Sequence, residues 1–174
     1  MTTATETVTE EYERLFAERD NLAAAVRAAG AVEPEVRARY DQVMDRLRGI
    51  LAEPPNGYAV PKQASDLLAF AESHGWMTGV QWTPPNWADE VYVRVRVGRR
   101  ISEAEQEAAG LRSDAWLFEI TYHERGCPPG QLKKFGSGRA RTPDRGAAEE
   151  QPAPSLKAIR TVIEQHPAPT GVVS

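Results

Sequence analysis

VYVRVRVGRR, residues 91–100, alternates valine with polar side chains and ends in two arginines. Alternation over this length predicts a β-strand that is buried on one face only. The valines point to one side, and Tyr92, Arg94 and Arg96 point to the other. The valine face needs a helical layer against it, while the arginine face suits the solvated side of an antiparallel sheet. The stretch therefore predicts an antiparallel sheet with helices on one side.

The sequence around this strand predicts the elements that pack with it. Helices are predicted over 61–74, 102–110 and 155–165, and strands over 79–83 and 115–123. The last strand, AWLFEITYH, places its tryptophan, phenylalanine, isoleucine and tyrosine on one face. Without the short second helix the order is α-β-β-β-α. This order predicts an α+β fold, with a small three-stranded antiparallel sheet packed by two helices.

The order α-β-β-β-α is also that of double-stranded-RNA-binding domains, and the resemblance is one of topology. In that family the final helix begins with a lysine-rich segment that follows a glycine. The corresponding stretch here, PAPSLKAIR, contains only Lys157 and Arg160 as bases. Since element order is a weak guide to function, the resemblance implies an arrangement of elements and no activity.

Residues 1–57 predict an antiparallel helical hairpin, followed by an α+β domain over 58–166 and a frayed tail over 167–174. Apolar side chains at a 3–4 spacing mark both helices: Tyr12, Leu15, Leu22, Val26 and Ala29 in the first, and Val36, Tyr40, Val43, Leu47 and Ile50 in the second. Thr7 and Glu10 fit a capping box, and the short connection favours antiparallel neighbours. Because two helices alone bury little surface, the hairpin must pack on the rest of the chain, on a second copy or on a partner.

The stretch 124–154 is rich in glycine, proline, arginine and alanine and predicts a flexible loop. Its bases outnumber its acids between 124 and 146, where Arg125, Lys133, Lys134, Arg139, Arg141 and Arg145 face only Glu124 and Asp144. Such a basic segment suits the phosphate backbone of a nucleic acid. The alternative is a solvated loop with no ligand.

The arginines of the opening strand have two interpretations. Arg94 and Arg96 suit phosphate groups, since a guanidinium fork matches phosphate oxygens. The favoured alternative is cross-strand pairing, because Glu119 on the polar face of 115–123 can lie opposite either of them. Acidic residues also surround the strand, at Asp89, Glu90, Glu103, Glu105 and Glu107.

Contacts with a protein partner or a second copy are predicted mainly on the hairpin. The candidates are Trp87 and the hairpin residues Tyr12, Leu15, Leu22, Val26, Tyr40 and Leu47. Trp87 follows Pro84 and Pro85 in a turn, and of the four tryptophans it is expected to be the most exposed. An exposed tryptophan can anchor a partner or stack on a base, although more often it covers the edge of its own core.

Catalytic signatures are missing from the sequence. Cys127 is the only cysteine, and His74, Glu90 and His123 are the remaining candidates for an acid–base or nucleophilic site. A zinc site needs three or four ligands at suitable spacing, and a phosphate-binding loop needs a lysine after its glycines. We therefore expect no enzyme, no cofactor and no metal.

Composition narrows the class of function further. The 174 residues carry a net charge of −4, which excludes coating of nucleic acid by bulk attraction. No apolar run reaches the ~18 residues of a membrane helix, and no signal peptide is recognisable, so a cytoplasmic location without membrane contact is expected. The sequence predicts a non-catalytic binding protein whose hairpin mediates self-association or docking. Nucleic-acid binding is the first alternative, and a small enzyme with a His/Cys/Glu site is the second.

Overall fold

The computed structural model describes residues 6–28, 34–87, 90–102, 105, 107, 115–142, 149–152 and 154–168. The helices are α1 (Val8–Ala28), α2 (Pro34–Ala52), α3 (Lys62–Ser73) and α4 (Leu156–Gln165). The strands are β1 (Met77–Trp82), β2 (Tyr92–Arg100), β3 (Ala115–His123), β4 (Lys133–Arg141) and β5 (Glu149–Pro152). They form one sheet in the order β1-β2-β3-β4-β5, in which every strand is antiparallel to its neighbours.

The α+β class is confirmed, but the expected number of three strands is wrong. β4 and β5 lie inside the stretch 124–154, for which the sequence predicts a flexible loop. The inward positions of β4 explain the error, because Gly138 lies opposite Ile120 and Ala140 lies opposite Phe118. Residues this small give no hydrophobic alternation, and β4 is held by its backbone pairing with β3 and by the contact of Ala140 with the core.

The core lies between the valine face of β2 and two helices. Val93, Val95 and Val97 are all at most 1% exposed, as the alternation predicts. Their neighbours in this core include Trp82, Phe118 and Ile120 from the strands, Ala64, Leu67 and Ala71 from α3, and Ile159 and Ile163 from α4. Full burial stabilises each aliphatic side chain by roughly 1.5–3 kcal/mol. This face of the sheet is therefore occupied by the protein's own helices.

The predicted helix caps are present. Thr7 and Glu10 form both bonds of a capping box: the Thr7 N–H donates to Glu10 Oε2 at 2.8 Å, and the Glu10 N–H donates to Thr7 Oγ1 at 3.2 Å. Ser155 accepts from the Ala158 N–H at 3.1 Å. Ser102 and Glu105 make a second capping box. The rest of the helix predicted over 102–110, apart from residue 107, lies outside the described residues.

The predicted hairpin has an apolar core of its own, formed by Tyr12, Leu15, Val43, Leu47 and Ile50. Two ion pairs join its helices: Arg46 Nε lies 2.6 Å from Glu11 Oε1, and Arg39 Nε lies 2.6 Å from Glu18 Oε1. The earlier glutamate of α1, Glu11, pairs with the later arginine of α2, Arg46, and the later glutamate pairs with the earlier arginine. The two helices are therefore antiparallel. α2 lies against β1, so the hairpin packs at the β1 edge of the sheet.

Candidate nucleic-acid interface

The face of the sheet opposite α3 and α4 carries most of the bases that the sequence singles out. Strand alternation and the observed registers place five of the eight predicted anion-binding bases there, together with Arg100. We call them the basic face: Arg94, Arg96 and Arg100 on β2, and Lys133, Arg139 and Arg141 on β4. The β2 group and the β4 group are about thirty residues apart in the sequence, but in the sheet only β3 lies between them.

A row of charges crosses the middle of the basic face. Glu119 on β3 lies opposite Arg96 on one side and Arg139 on the other. Arg96 Nε donates to Glu119 Oε2 at 2.6 Å, which confirms the predicted cross-strand pair. The Glu119 side chain is 10% exposed and that of Arg96 is 45% exposed. The buried carboxylate thus holds one edge of the guanidinium, and the rest of that group lies at the surface.

Exposed aromatic rings border the basic face at one end. Trp87 is 64% exposed, so it does not cover the edge of the core. Its ring lies edge-on to Tyr92 with centroids 6.0 Å apart, and the Arg94 guanidinium lies 5.2 Å from the Tyr92 ring centroid. Thr83 fixes the turn that carries Trp87, because its Oγ1 accepts from the Tyr92 N–H at 2.6 Å. The Trp87 N–H donates to the Pro84 carbonyl at 3.0 Å, so the exposed ring stands on an ordered turn.

Phe135 provides a second exposed ring on the same face. It is 46% exposed and lies on β4 between the bases of that strand. Its ring is perpendicular to His123, with centroids 5.2 Å apart. The sequence does not predict Phe135 as a surface residue of the sheet, because the stretch 124–154 is expected to be a loop. The available signal was the spacing of two between Lys133 and Phe135, which places both on one face of a strand.

Two of the predicted anion-binding bases lie elsewhere in the structure. Lys134 points the other way, and its Nζ donates to the Pro154 carbonyl at 2.7 Å, which ties β4 to the segment that enters α4. Arg125 is exposed in the turn between β3 and β4. Arg145 lies outside the described residues. The remaining candidates on β2 and β4 are the ones that the sheet brings together.

The hairpin candidates for partner contact fall into two groups. Tyr12, Leu15 and Leu47 are buried in the hairpin core, which explains their apolar pattern without any partner. Leu22, Val26 and Tyr40, which lie farther from the sheet along the helices, are half-buried. Phe16 was not among the candidates, yet it is 39% exposed beside the sheet, with the Arg19 guanidinium 3.8 Å from its ring centroid. Its position four residues after Tyr12 was the available signal.

The candidates for an acid–base site converge in part. His123 Nδ1 lies 3.2 Å from Glu90 Oε1. Glu90 also lines a recess of about 510 Å³ with Glu124 and Cys127. The Tyr58 hydroxyl donates to Glu124 at 2.5 Å, and this bond raises the pKa of Tyr58 above its ordinary value.

His74 lies apart from this group. It sits at the end of α3, where its Nδ1 is 2.8 Å from the Phe70 carbonyl. Within the described ranges, no three His, Cys, Asp or Glu side chains are grouped so as to hold a metal ion.

Comparison of the chain with protein-family models, with curated proteins and with solved structures finds no match. Among the described helices, none has the length and apolar character needed to cross a membrane. We therefore infer what the site can bind from its own geometry. That geometry is an open sheet face which carries bases from two strands and is bordered by exposed aromatic rings.

Proposed function

We propose that this protein is a non-catalytic binding protein of the cytoplasm, and that its basic face holds single-stranded nucleic acid. The observation that carries the proposal is the shared face of six bases from β2 and β4, bordered by the exposed rings of Trp87 and Phe135. Basic side chains bind the phosphates of a nucleic acid, and aromatic rings stack on its unpaired nucleobases.

The phosphate groups are assigned to the arginines and lysine of β2 and β4. Lys133 and Arg139 lie opposite His123 and Glu119, which are four residues apart on β3, so they are separated by roughly 13 Å along the sheet, and β2 and β4 are roughly 10 Å apart across it. Arg139 and Lys133 are exposed, and Arg96 is only partly engaged by Glu119. Guanidinium and ammonium groups at such positions bind phosphate oxygens without reading sequence.

The preference for a single strand follows from the aromatic rings. A base in a duplex is stacked on its neighbours and offers no free face to a protein ring. An unpaired base can stack on Trp87 or Phe135, a contact worth about 1–3 kcal/mol per base and tolerant of sequence. The exposed positions of β4, with Arg139 and Lys133 at the surface, are compatible with an extended strand lying across this part of the sheet.

The net charge of −4 does not oppose this proposal, because the charges are segregated. On β2, β3 and β4, as far as the structure describes them, the acid on the basic face is Glu119, which is paired with Arg96, and the Glu150 position of β5 lies opposite Arg139 in the register. Acidic residues of the hairpin, such as Glu11 and Glu18, are paired with arginines of α2. A local positive field can therefore attract a polyanion to one face of an acidic protein.

The proposal is tested by fluorescence anisotropy with a labelled 15-nucleotide single strand and the matching duplex, titrated with the full chain at several salt concentrations. We expect the single strand to bind more tightly than the duplex, with an affinity that falls linearly on a log–log plot against salt. Absence of binding at low salt, binding that does not respond to salt, or a preference for the duplex each contradicts the proposal.

As a second candidate function, we propose self-association through the distal part of the hairpin. The observation in its favour is that Leu22, Val26, Val36 and Tyr40 continue the apolar stripe but are only half-buried. A second copy packed there would extend the hairpin core into a four-helix arrangement. Light scattering of the purified chain tests it, since a dimer that becomes a monomer in Leu22→Glu supports the candidate and a monomeric wild type removes it.

A further inference from the structure

A groove separates the hairpin from the β1 side of the sheet. It encloses about 650 Å³, which lies within the range of small-molecule sites. One wall consists of hairpin side chains, including Phe16, Met44 and Leu51, and the floor includes Gly79, Gln81 and Arg96 from the sheet. The groove thus combines apolar side chains with arginines, since Arg19 and Arg48 lie on the hairpin wall and Arg96 lies on the floor.

The charged groups in the groove all have the same sign. Arg19, Arg48 and Arg96 line it, and none of the described residues that line it is acidic. The acids that pair with these arginines, Asp20, Asp45 and Glu119, are not among the lining residues. The pair of Arg48 with Asp45 is well exposed and therefore contributes little to stability, so an anion in the groove can replace Asp45.

Arg96 is the base best placed to hold such an anion. Its Nε is committed to Glu119 at 2.6 Å, which fixes the orientation of the guanidinium. In the described part of the chain, its terminal nitrogens have no hydrogen-bond partner. A guanidinium that is oriented on one edge and open on the other suits a carboxylate.

Gly79 keeps the floor of the groove open. Its φ is not in the left-handed region, so its backbone does not require glycine. A Cβ at this position would meet its nearest neighbour, the Cβ of Arg96, at 3.9 Å, which is ordinary contact. Neither the backbone conformation nor crowding therefore requires glycine at position 79. What the missing side chain provides is free space above the strand, where a ligand can approach the backbone closely.

From these observations we infer that the groove is a binding site for a small amphipathic carboxylate. The apolar body lies along Phe16, Met44 and Leu51, and the carboxylate meets the open edge of Arg96. The site shares Arg96 with the basic face, but the rest of its lining comes from the hairpin and β1, and no residue of β4 lines the groove. Binding of a small carboxylate therefore tests it separately from the proposed nucleic-acid function.

Calorimetric titration of the full chain with decanoate, and with its neutral counterpart decanamide, tests the inference. We expect decanoate to bind at least tenfold more tightly than decanamide. Arg96→Met should remove that preference, and Gly79→Val should weaken both ligands at least tenfold by filling the floor. Arg37→Met is the matched control, since it removes an exposed arginine of the hairpin that neither lines the groove nor belongs to the basic face, and it should leave binding unchanged.

The contradicting results are equally definite. Equal affinity for the two ligands, no binding of decanoate, or an equal loss in Arg96→Met and Arg37→Met each overturns the inference. If Gly79→Val does not fold by circular dichroism, Met44→Trp replaces it, because this change narrows the groove from the hairpin wall. Unchanged binding in Met44→Trp then overturns the inference as well.

Discussion

The two faces of β2 are built from alternate residues of one strand, yet they differ in how far the fold explains them. Val93, Val95 and Val97 are almost fully buried against α3 and α4 and the neighbouring strands. Arg94 and Arg96 point the other way, and the side chain of Arg96 is 45% exposed even though it is paired with Glu119. The valine face is occupied by the chain itself, whereas the arginine face remains accessible to another molecule.

The difference is also one of energy. Burial of one valine stabilises the fold by roughly 1.5–3 kcal/mol, while an ion pair between exposed side chains contributes about 0–1 kcal/mol. Stability therefore explains why the valines are present, and pairing with the largely buried carboxylate of Glu119 gives a reason for Arg96 as well. The exposed part of the Arg96 side chain is still available to a ligand on that face.

The largest expected effect is loss of stability from the core face. Ile120→Ala removes a side chain that is 1% exposed in the middle of β3, and we expect a loss of about 2–5 kcal/mol in the free energy of unfolding. Urea denaturation measures it. At a temperature where the variant is folded, oligonucleotide affinity should be unchanged. A loss below about 1 kcal/mol would show that this face is not the core.

A smaller effect, in binding alone, is expected from the exposed tryptophan. Trp87→Ala should weaken single-strand binding by about 1–3 kcal/mol, or about 5- to 150-fold, with little change in stability, because the ring is 64% exposed. Anisotropy and urea denaturation on the same preparation separate the two readouts. Trp76→Ala, which empties a buried site, should show the reverse pattern. Similar behaviour of the two variants would contradict the contrast between the faces.

Removal of the carboxylate between the arginine strands should strengthen binding modestly. Glu119→Gln leaves Arg96 an oxygen to donate to, but it removes the negative charge between Arg96 and Arg139. We expect tighter binding of the single strand at low salt and a salt slope steeper by about 0.7. Weaker binding in this variant would mean that Glu119 matters for the ligand through positioning rather than through charge.

The smallest effect is expected in the hairpin, on the acid side of neutrality. The hydrogen bond from Arg46 holds the pKa of Glu11 below its ordinary value. The stabilisation is therefore present at neutral pH and is lost as the pH falls through the folded-state pKa of Glu11. In Glu11→Gln this part of the acid dependence should disappear, which thermal denaturation between neutral and acidic pH detects. An unaltered pH profile would show that the pair contributes nothing measurable.

The sequence predicts the valine face and its helices because burial leaves a periodic signal. Alternation identifies β2 and β3, and short capping motifs identify the helix starts at Thr7 and Ser155. The basic face could not be predicted as a unit, because its formation depends on register. β4 was overlooked because its inward residues, Gly138 and Ala140, carry no hydrophobic signal, so the bases of 133–141 were expected in a loop. Arg96 and Arg139 lie on either side of Glu119 because β3 pairs with both β2 and β4, and the sequence does not show this pairing.

The salt dependence of single-strand binding to a charge variant of β4 tests the central claim most directly. Lys133→Gln with Arg139→Gln removes two bases of the basic face. Lys62→Gln with Lys157→Gln removes the same charge from the helices on the other side of the sheet. We expect the first variant to bind more weakly, with a log–log salt slope smaller by about 1.4, and the second to keep the wild-type slope. Equal slopes in the two variants would contradict binding of nucleic acid on the basic face.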